Sequence, residues 1–115
     1  QAKIIKDLAA NSSCIILGRC GNYLLHDMPN VLRVFIHAPL EARHERVASY
    51  SLTKTSGEIS RYIRLEDKRR SSYYRYYTGE EWRDVSGYDL SLDSAVLGEE
   101  GCVDRIVRLL PGFIK

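Results

Sequence analysis

This sequence lacks any long hydrophobic run, and its longest one, residues 14–17, contains only four residues. A transmembrane helix needs ~20 consecutive apolar residues, so we expect no membrane span in this chain. No positively charged segment leads into an apolar stretch of the kind that a secretory signal contains, so we expect no signal peptide in this sequence either.

Cysteine is scarce: the three thiols, Cys14, Cys20 and Cys102, are widely spaced and form no C-x-x-C pair. Their odd number and their spacing predict neither a disulfide framework nor a zinc site. We therefore expect a reducing, cytoplasmic setting. Cys14 and Cys102 are expected to be small buried side chains, whereas Cys20 follows a Gly-Arg turn and is expected to be exposed.

Neither sign of charge is in marked excess, because 17 Lys and Arg side chains face 15 Asp and Glu, which gives a net charge of +2. That value does not by itself argue for a nucleic-acid or membrane partner. A length of 115 residues with 44% hydrophobic side chains predicts one globular domain over residues 1–115. The sequence begins with Gln1 rather than Met, so we expect that it does not begin at a native start.

The sequence does contain an alternation of strand and helix patterns. Short apolar runs predict strands at about 14–17, 31–36 and 88–92, and helical spacing of apolar residues predicts helices at about 2–10, 38–50, 56–77 and 99–110. The residues of the last helix expected to face the core are Val103, Ile106, Val107 and Leu110. This order is typical of an α/β fold, a parallel sheet with crossover helices on both faces. With about three strands the sheet is incomplete, so either more strands lie upstream or its exposed edges allow self-association.

Residues that follow the predicted strands are the candidates for a site, because ligands of open parallel sheets bind beyond the carboxyl ends of the strands. Gly18 and Arg19 follow the first strand. A glycine there lets a ligand approach the backbone, and an arginine offers a fork of donors for phosphate. After the second strand, Arg43 and Arg46 lie one turn apart on one side of a helix, where they either bind a ligand or form a solvated face.

The long predicted helix carries the strongest charge feature. Residues 58–75 hold six basic and three acidic side chains, a net +3. The basic residues that share one side of it are Arg61, Arg64, Lys68 and Arg75. Such a stripe can bind phosphates or can be a solvated face, and charge alone does not separate the two. The tyrosines within residues 73–77 could stack on nucleobases, but their spacing favours the packing of some of them in the core.

Several catalytic motifs are missing from the sequence. No G-x-x-x-x-G-K-[ST] segment occurs, so the chain contains no loop of the kind that cradles a triphosphate. There is also no G-x-S-x-G and no H-E-x-x-H, and no histidine is spaced beside an obvious nucleophile.

Four stretches, in this order, resemble the cytidylate-kinase-like family of P-loop nucleoside monophosphate kinases. They are SCIILGRC at 13–20, NVLRVFIHAPLEAR at 30–43, DKRR with YYRYYTG within 67–79, and YDLSLDS at 88–94. The resemblance implies a P-loop NTPase-like fold and phosphoryl transfer from ATP to a nucleoside monophosphate such as CMP, with Mg²⁺. In that fold the phosphate loop lies upstream of Gln1. The chain alone is therefore expected to be inactive and to bind neither ATP nor Mg²⁺.

The resemblance also implies roles for single residues on the acceptor side. Gly18 and Arg19 match the family's Gly-Arg-Asp turn, whose arginine binds the monophosphate acceptor. Cys20 stands where that turn has its aspartate, which leaves the choice of acceptor base open. Arg43 and Arg46 join Gly18 and Arg19 as the expected substrate-binding residues.

Lys68, Arg69 and Arg70 lie in the segment similar to the family's lid, about residues 55–79, and are the expected catalytic residues. Asp93 and Ser94 lie where the last strand meets the loop that holds the donor base, so they are the expected cofactor-binding residues. Two other interpretations remain open. One is a non-catalytic nucleotide-binding or regulatory module that keeps the fold. The other is a nucleic-acid-binding module that uses the basic, tyrosine-rich helix, although nucleic acid is the less favoured partner and no membrane is expected.

Overall fold

The computed structural model describes residues 2–113. Its helices and strands follow the order α1 (Ala2–Asn11), α2 (Gly21–Leu24), β1 (Val34–His37), α3 (Leu40–Tyr50), α4 (Ser56–Thr78), β2 (Leu90–Asp93) and α5 (Ser94–Leu109). Short 3₁₀ turns follow at Val85–Gly87, before β2, and at Leu110–Gly112, after α5. None of the helices within these residues is long and apolar enough to cross a membrane.

The two strands form a parallel sheet, which confirms the predicted α/β class. Val34 pairs with Leu90 and His37 with Asp93, so both strands end at the same edge. The chain between them forms α3 and α4, which is the crossover connection that a parallel pair requires. Leu92 is almost fully buried where α5 packs against β2, and Phe35 packs against aromatic rings on the other face.

The strand predicted at residues 14–17 is absent, so the sheet in the described part of the chain has two strands rather than three. Ile15 and Leu17 are 91% and 84% exposed. A strand buried on both faces needs neighbours on each side, and no described segment pairs with this one. Of this apolar run only Ile16 is half-buried, and the other three residues are exposed.

Helices α3 and α4 pack together around a small core. Val47 of α3 contacts Ile59 and Ile63 of α4, all three buried, and Leu40 and Ala48 pack beside them. The predicted capping box starts α4: the Thr55 hydroxyl accepts from the Glu58 N–H, and the Glu58 carboxylate accepts from the Thr55 N–H.

The last helix begins five residues earlier than predicted. The Asp93 carboxylate accepts from the Ala95 and Val96 N–H groups and so starts the helix at the end of β2. Gly98, at φ 70°, then kinks it. The expectation that Val103 and Val107 face the core is wrong, since both are exposed.

The core side of α5 is instead formed by Cys102 and, partly, Ile106, which lie one turn apart. Leu110, beyond the helix, is also more exposed than predicted.

Candidate functional site

The carboxyl ends of the two strands meet at one edge, as a ligand site in a parallel sheet requires. Asp93 and Ser94 lie at this edge, where the sequence predicts them. The Asp93 carboxylate accepts hydrogen bonds from the first N–H groups of α5. The Ser94 hydroxyl donates to the His37 carbonyl at 3.3 Å. Their side chains therefore hold the two strand ends and α5 together.

Gly18, Arg19 and Cys20 form a tight turn in which all three residues have positive φ angles, of 67°, 58° and 57°. The turn is closed by the Gly21 N–H, which donates to the Gly18 carbonyl at 3.0 Å. For a non-glycine residue this conformation costs roughly 1–2 kcal/mol, so the turn is strained at Arg19 and at Cys20. The Arg19 side chain is exposed and free to meet a ligand from solvent.

Two cysteine expectations are wrong at this turn. Cys20 is buried rather than exposed, and burial raises the pKa of its thiol. Cys14 is exposed rather than buried, because the segment that carries it forms no strand. The left-handed turn directs Cys20 inward toward Tyr74 and Tyr88. Burial is the main cause of the raised pKa of both phenols, and the nearby Cys20 thiol adds to it.

Asn22 fixes the turn to the rest of the molecule. Its amide donates to the Tyr74 hydroxyl of α4 at 2.9 Å and to the Gly87 carbonyl at 3.2 Å. Close by, the Tyr88 hydroxyl donates to the Trp82 carbonyl at 3.0 Å. Burial is the main reason that the pKa of Tyr88 rises to about 12.

Two arginines converge on one carboxylate beyond the end of β1. The same Arg43 nitrogen, Nη1, donates to both carboxylate oxygens of Asp67 at 2.8 and 2.7 Å. Arg83, from the loop after α4, reaches the same carboxylate at 3.4 Å. Arg43 and Asp67 are half-buried, and the Arg43 Nε is buried without any hydrogen-bond partner. The cluster has a net charge of +1, and the Arg83 side chain is half exposed, so its remaining guanidinium donors can reach an anion.

Aromatic rings attach this cluster to the sheet. Trp82 packs edge-to-face on Phe35 of β1, with ring centroids 5.5 Å apart. The Arg83 guanidinium lies over the Trp82 ring at 5.1 Å. The His37 ring stacks on Phe35 at 5.8 Å. Arg83 is therefore held by both a ring and a carboxylate, so its place beside the strand end is well defined.

The remaining predicted site residues lie apart from the cluster. Arg46 is exposed and has no ion-pair partner among the described residues. Lys68, Arg69 and Arg70 are exposed on the outer side of α4, where Arg69 pairs with Glu66 at 3.1 Å. Of the predicted basic residues, only Arg43 enters the cluster.

Sequence reasoning missed Asp67 and Arg83 as site residues. The position of Asp67 could have been predicted from helical spacing. It follows Ile63 by four residues and precedes Tyr74 by seven, and both of these are buried. A carboxylate at core-facing positions of a helix needs a cationic partner. Arg83 carried no comparable signal, because its position depends on how the loop after α4 folds against Phe35.

Curated relatives of this chain are cytidylate kinases. The enzyme of Sulfolobus acidocaldarius is 28% identical over 108 residues, which is 94% of this chain and 58% of that protein. Those of Methanosarcina barkeri and Methanosarcina acetivorans are 28% and 30% identical over 74% and 70% of this chain, and 47% and 44% of their own lengths. The chain thus spans about half the length of the curated relatives it matches.

A solved structure shares the fold. The crystal structure of an uncharacterized protein from Eubacterium ventriosum matches with a TM-score of 0.80, over 96% of this chain and 62% of that one, at 23% identity. The sequence profile described as the cytidylate kinase-like family matches residues 1–96, which is most of the chain. The chain therefore belongs to the cytidylate kinase-like family.

Proposed function

We propose that this chain is the acceptor and lid portion of an enzyme that transfers a phosphoryl group from ATP to a nucleoside monophosphate, with CMP as the first candidate. The observation that carries the proposal is the convergence of Arg43 and Arg83 beyond the end of β1. Monophosphate acceptors are dianions, and arginine forks beside a parallel strand end are suited to hold them.

In this proposal Arg43 and Arg83 neutralise the acceptor phosphate, and Arg19 approaches it from the exposed turn. Phosphoryl transfer needs little covalent chemistry from the protein, so positioning and charge neutralisation account for the roles of these residues. Lys68, Arg69 and Arg70 lie on the solvent side of α4. We assign them to a lid that reaches the transferring phosphates only after α4 moves.

His37 and Asp93 end the two described strands, and neither is followed by the glycine-rich loop that cradles a triphosphate. ATP and Mg²⁺ are therefore proposed for the complete enzyme only, and we propose that this chain alone performs no transfer.

Nucleotide titrations test the acceptor site directly. We expect the purified chain to bind CMP in calorimetry or NMR titrations, with UMP and dCMP as comparisons. Arg43→Gln should weaken binding ~10-fold, as the loss of a charged hydrogen bond predicts. Arg105→Gln changes an exposed arginine on α5 and should leave binding unchanged. The absence of binding by any of the three nucleotides would refute the acceptor site.

A phosphoryl-transfer assay tests the claim that the chain alone is inactive. Transfer from ATP to CMP by the pure chain, lost in an Arg19→Ala variant, would refute that claim.

A non-catalytic nucleotide-binding or regulatory module is the second candidate, and burial of Cys20 favours it. A buried thiol at the position of the family's acceptor-side aspartate offers no carboxylate to a base. This candidate predicts nucleotide binding but no transfer even by the complete protein, so an assay of the full-length protein separates the two.

A further inference from the structure

One side of α4 carries three cations around a single apolar side chain. At ~100° of rotation per residue, Arg61, Arg64, Leu65 and Lys68 fall within ~100° of one another, and we call them the basic face. All four are exposed, Leu65 by 51%. In the part of the chain that the structure describes, none of the three cations pairs with a carboxylate, whereas Arg69 of the same helix does. The basic face is therefore a charged surface whose counter-charge must come from elsewhere.

The exposed tyrosines of α4 lie on other sides of the helix. Tyr73 and Tyr77 point at least ~120° away from all three cations, and Tyr74 is buried, as the spacing of this segment favours. No single face of α4 therefore joins the cations to this pair of exposed rings, as a surface for single-stranded nucleic acid requires. A partner of the basic face is expected to be acidic and partly apolar instead.

Helix α5 carries a surface of that composition. After the kink at Gly98, the side chains of Glu99, Glu100, Val103 and Val107 fall within ~100° of one another, and we call them the acidic face. All four are exposed, Val103 by 54% and Val107 by 59%. The helix dipole accounts for carboxylates in the first turn after Gly98, but it does not account for two exposed valines beside them.

The acidic face is open to a partner. It borders an open depression of about 550 Å³ lined by Glu99, Glu100, Val103, Asp104 and Val107. Asp104, at the edge of the face, pairs with Arg108 at 2.9 Å. Glu99 and Glu100 form no ion pair with any of the described residues, so both carboxylates are available to the cations of another molecule.

We propose that the acidic face of one copy of this chain docks on the basic face of a second copy. The faces are complementary in charge, and their spacing also matches. Leu65 lies four residues after Arg61. Val103 likewise lies four residues after Glu99. When Leu65 packs level with Val103, cations of α4 therefore come level with the glutamates of α5.

This contact is heterologous, because different surfaces of the two copies meet. Two copies can satisfy it reciprocally in a dimer, or successive copies can extend it. Two helix faces bury less than the ~1,600 Å² of a standard interface, so we expect a weak association that depends on charge. The contact uses neither Arg43 nor Arg83, so it does not rest on the acceptor site, although it covers Lys68 of the proposed lid.

Sedimentation equilibrium of the chain at millimolar concentration tests the proposal. We expect self-association that weakens at least ~10-fold between ~0.1 and ~1 M salt, because the screening length falls from ~10 to ~3 Å. Arg61→Glu with Arg64→Glu should leave the chain monomeric, because it sets like charges against each other. Glu99→Lys with Glu100→Lys should do the same. Lys68 is left intact because the lid assignment also uses it.

Mixing the two reversed variants identifies the surfaces that meet. The reversed α4 of one variant then faces the reversed α5 of the other, so we expect the mixture to associate although neither variant does so alone. A chain with all four changes should again associate with itself. The matched controls are Arg105→Glu on α5 and Glu45→Lys on α3, both exposed, outside the two faces and without effect.

Leu65→Ala tests the apolar part of the contact. It should weaken self-association ~5-fold and leave its dependence on salt unchanged, because it removes buried carbon and no charge. Alanine is a strong helix former, so α4 should persist. Leu52→Ala changes an exposed leucine in the loop before α4 and should have no effect.

Three results would overturn the proposal. The first is an unchanged chain that stays monomeric at millimolar concentration. The second is self-association that survives both charge reversals, which would place the contact on other surfaces, such as the exposed Ile15 and Leu17. The third is a mixture of the reversed variants that fails to associate under conditions in which the unchanged chain does.

Discussion

Arg43 of α3 and Asp67 of α4 share two short contacts through a single guanidinium nitrogen, Nη1, at 2.8 and 2.7 Å. The pair joins the two crossover helices. It also holds Arg43 in place with its Nε buried and unpartnered. The ion pair therefore holds α3 and α4 together, and it also fixes the position of Arg43, one of the two arginines of the candidate anion site.

Asp67→Asn tests the clamp. The change removes the negative charge that both arginines contact and leaves Arg43 half-buried without a counter-ion, which is more damaging than the loss of an exposed pair. We expect the free energy of unfolding, measured by urea denaturation, to fall by about 2 kcal/mol.

The matched control is Asp104→Asn, which breaks the exposed pair between Asp104 and Arg108 on α5. An exposed pair of this kind contributes less than about 1 kcal/mol. Equal losses for the two variants would show that the Arg43–Asp67 contact does not clamp the helices.

Local signals predicted α4 well, since it begins at its capping box and is closed by Gly79, at φ 73°, as the sequence indicates. The parallel pairing of β1 and β2 also followed from strand–helix alternation. Two of the failures share one cause, which is dependence on distant neighbours. Residues 14–17 needed strands that residues 2–113 do not supply, and the exposure of Cys14 followed from that.

The candidate site was predictable only in part, for the same reason. Arg43 was found because it follows a strand and lies on a helix. Arg83 was not found, because its position depends on Trp82 packing on Phe35 across 47 residues of chain. No local pattern encodes a contact of that range.

Thiol labelling tests the reversed exposure of two cysteines. Cys14 is exposed, whereas Cys20 is buried with a raised pKa and Cys102 is buried. Because the thiolate is the reactive form, we expect iodoacetamide at neutral pH to modify Cys14 first. Peptide mapping by mass spectrometry gives the order. Cys14→Ser should abolish the fast phase of iodoacetamide labelling. Labelling of Cys20 as fast as that of Cys14 would contradict the burial of Cys20 in the turn.

Alkaline titration tests the burial of Tyr88. Burial raises its pKa from 10.0 to about 12, so the folded state keeps the proton where the unfolded state has lost it. The stability that neutral Tyr88 confers is complete below pH 10 and is lost as pH rises toward 12. Thermal unfolding between pH 9 and 12 should show this fall.

Tyr88→Phe removes the ionisable group and keeps the ring. The fall in stability between pH 10 and 12 should become smaller in this variant, although not vanish, because Tyr74 also has a raised pKa. At pH 9 the variant should already be less stable than the unchanged chain, since it loses the hydrogen bond to the Trp82 carbonyl. An unchanged alkaline slope would assign the effect to other groups.

Thr55→Ala tests whether the capping box limits the stability of α4. The alanine removes the hydroxyl that accepts from the Glu58 N–H at 3.2 Å, leaving one amide at the helix start to water. We expect a loss of about 1 kcal/mol in the free energy of unfolding, measured in urea. Thr53→Ala changes an exposed threonine two residues earlier and should cost much less.

Hydrogen bonds from Thr55 also lower the pKa of Glu58. The contribution of the Glu58 carboxylate to stability is therefore present above about pH 4.5 and is lost as pH falls. If Thr55→Ala and Thr53→Ala are equally stable at pH 7, the cap contributes nothing, and packing of Ile59 and Ile63 alone holds the start of α4.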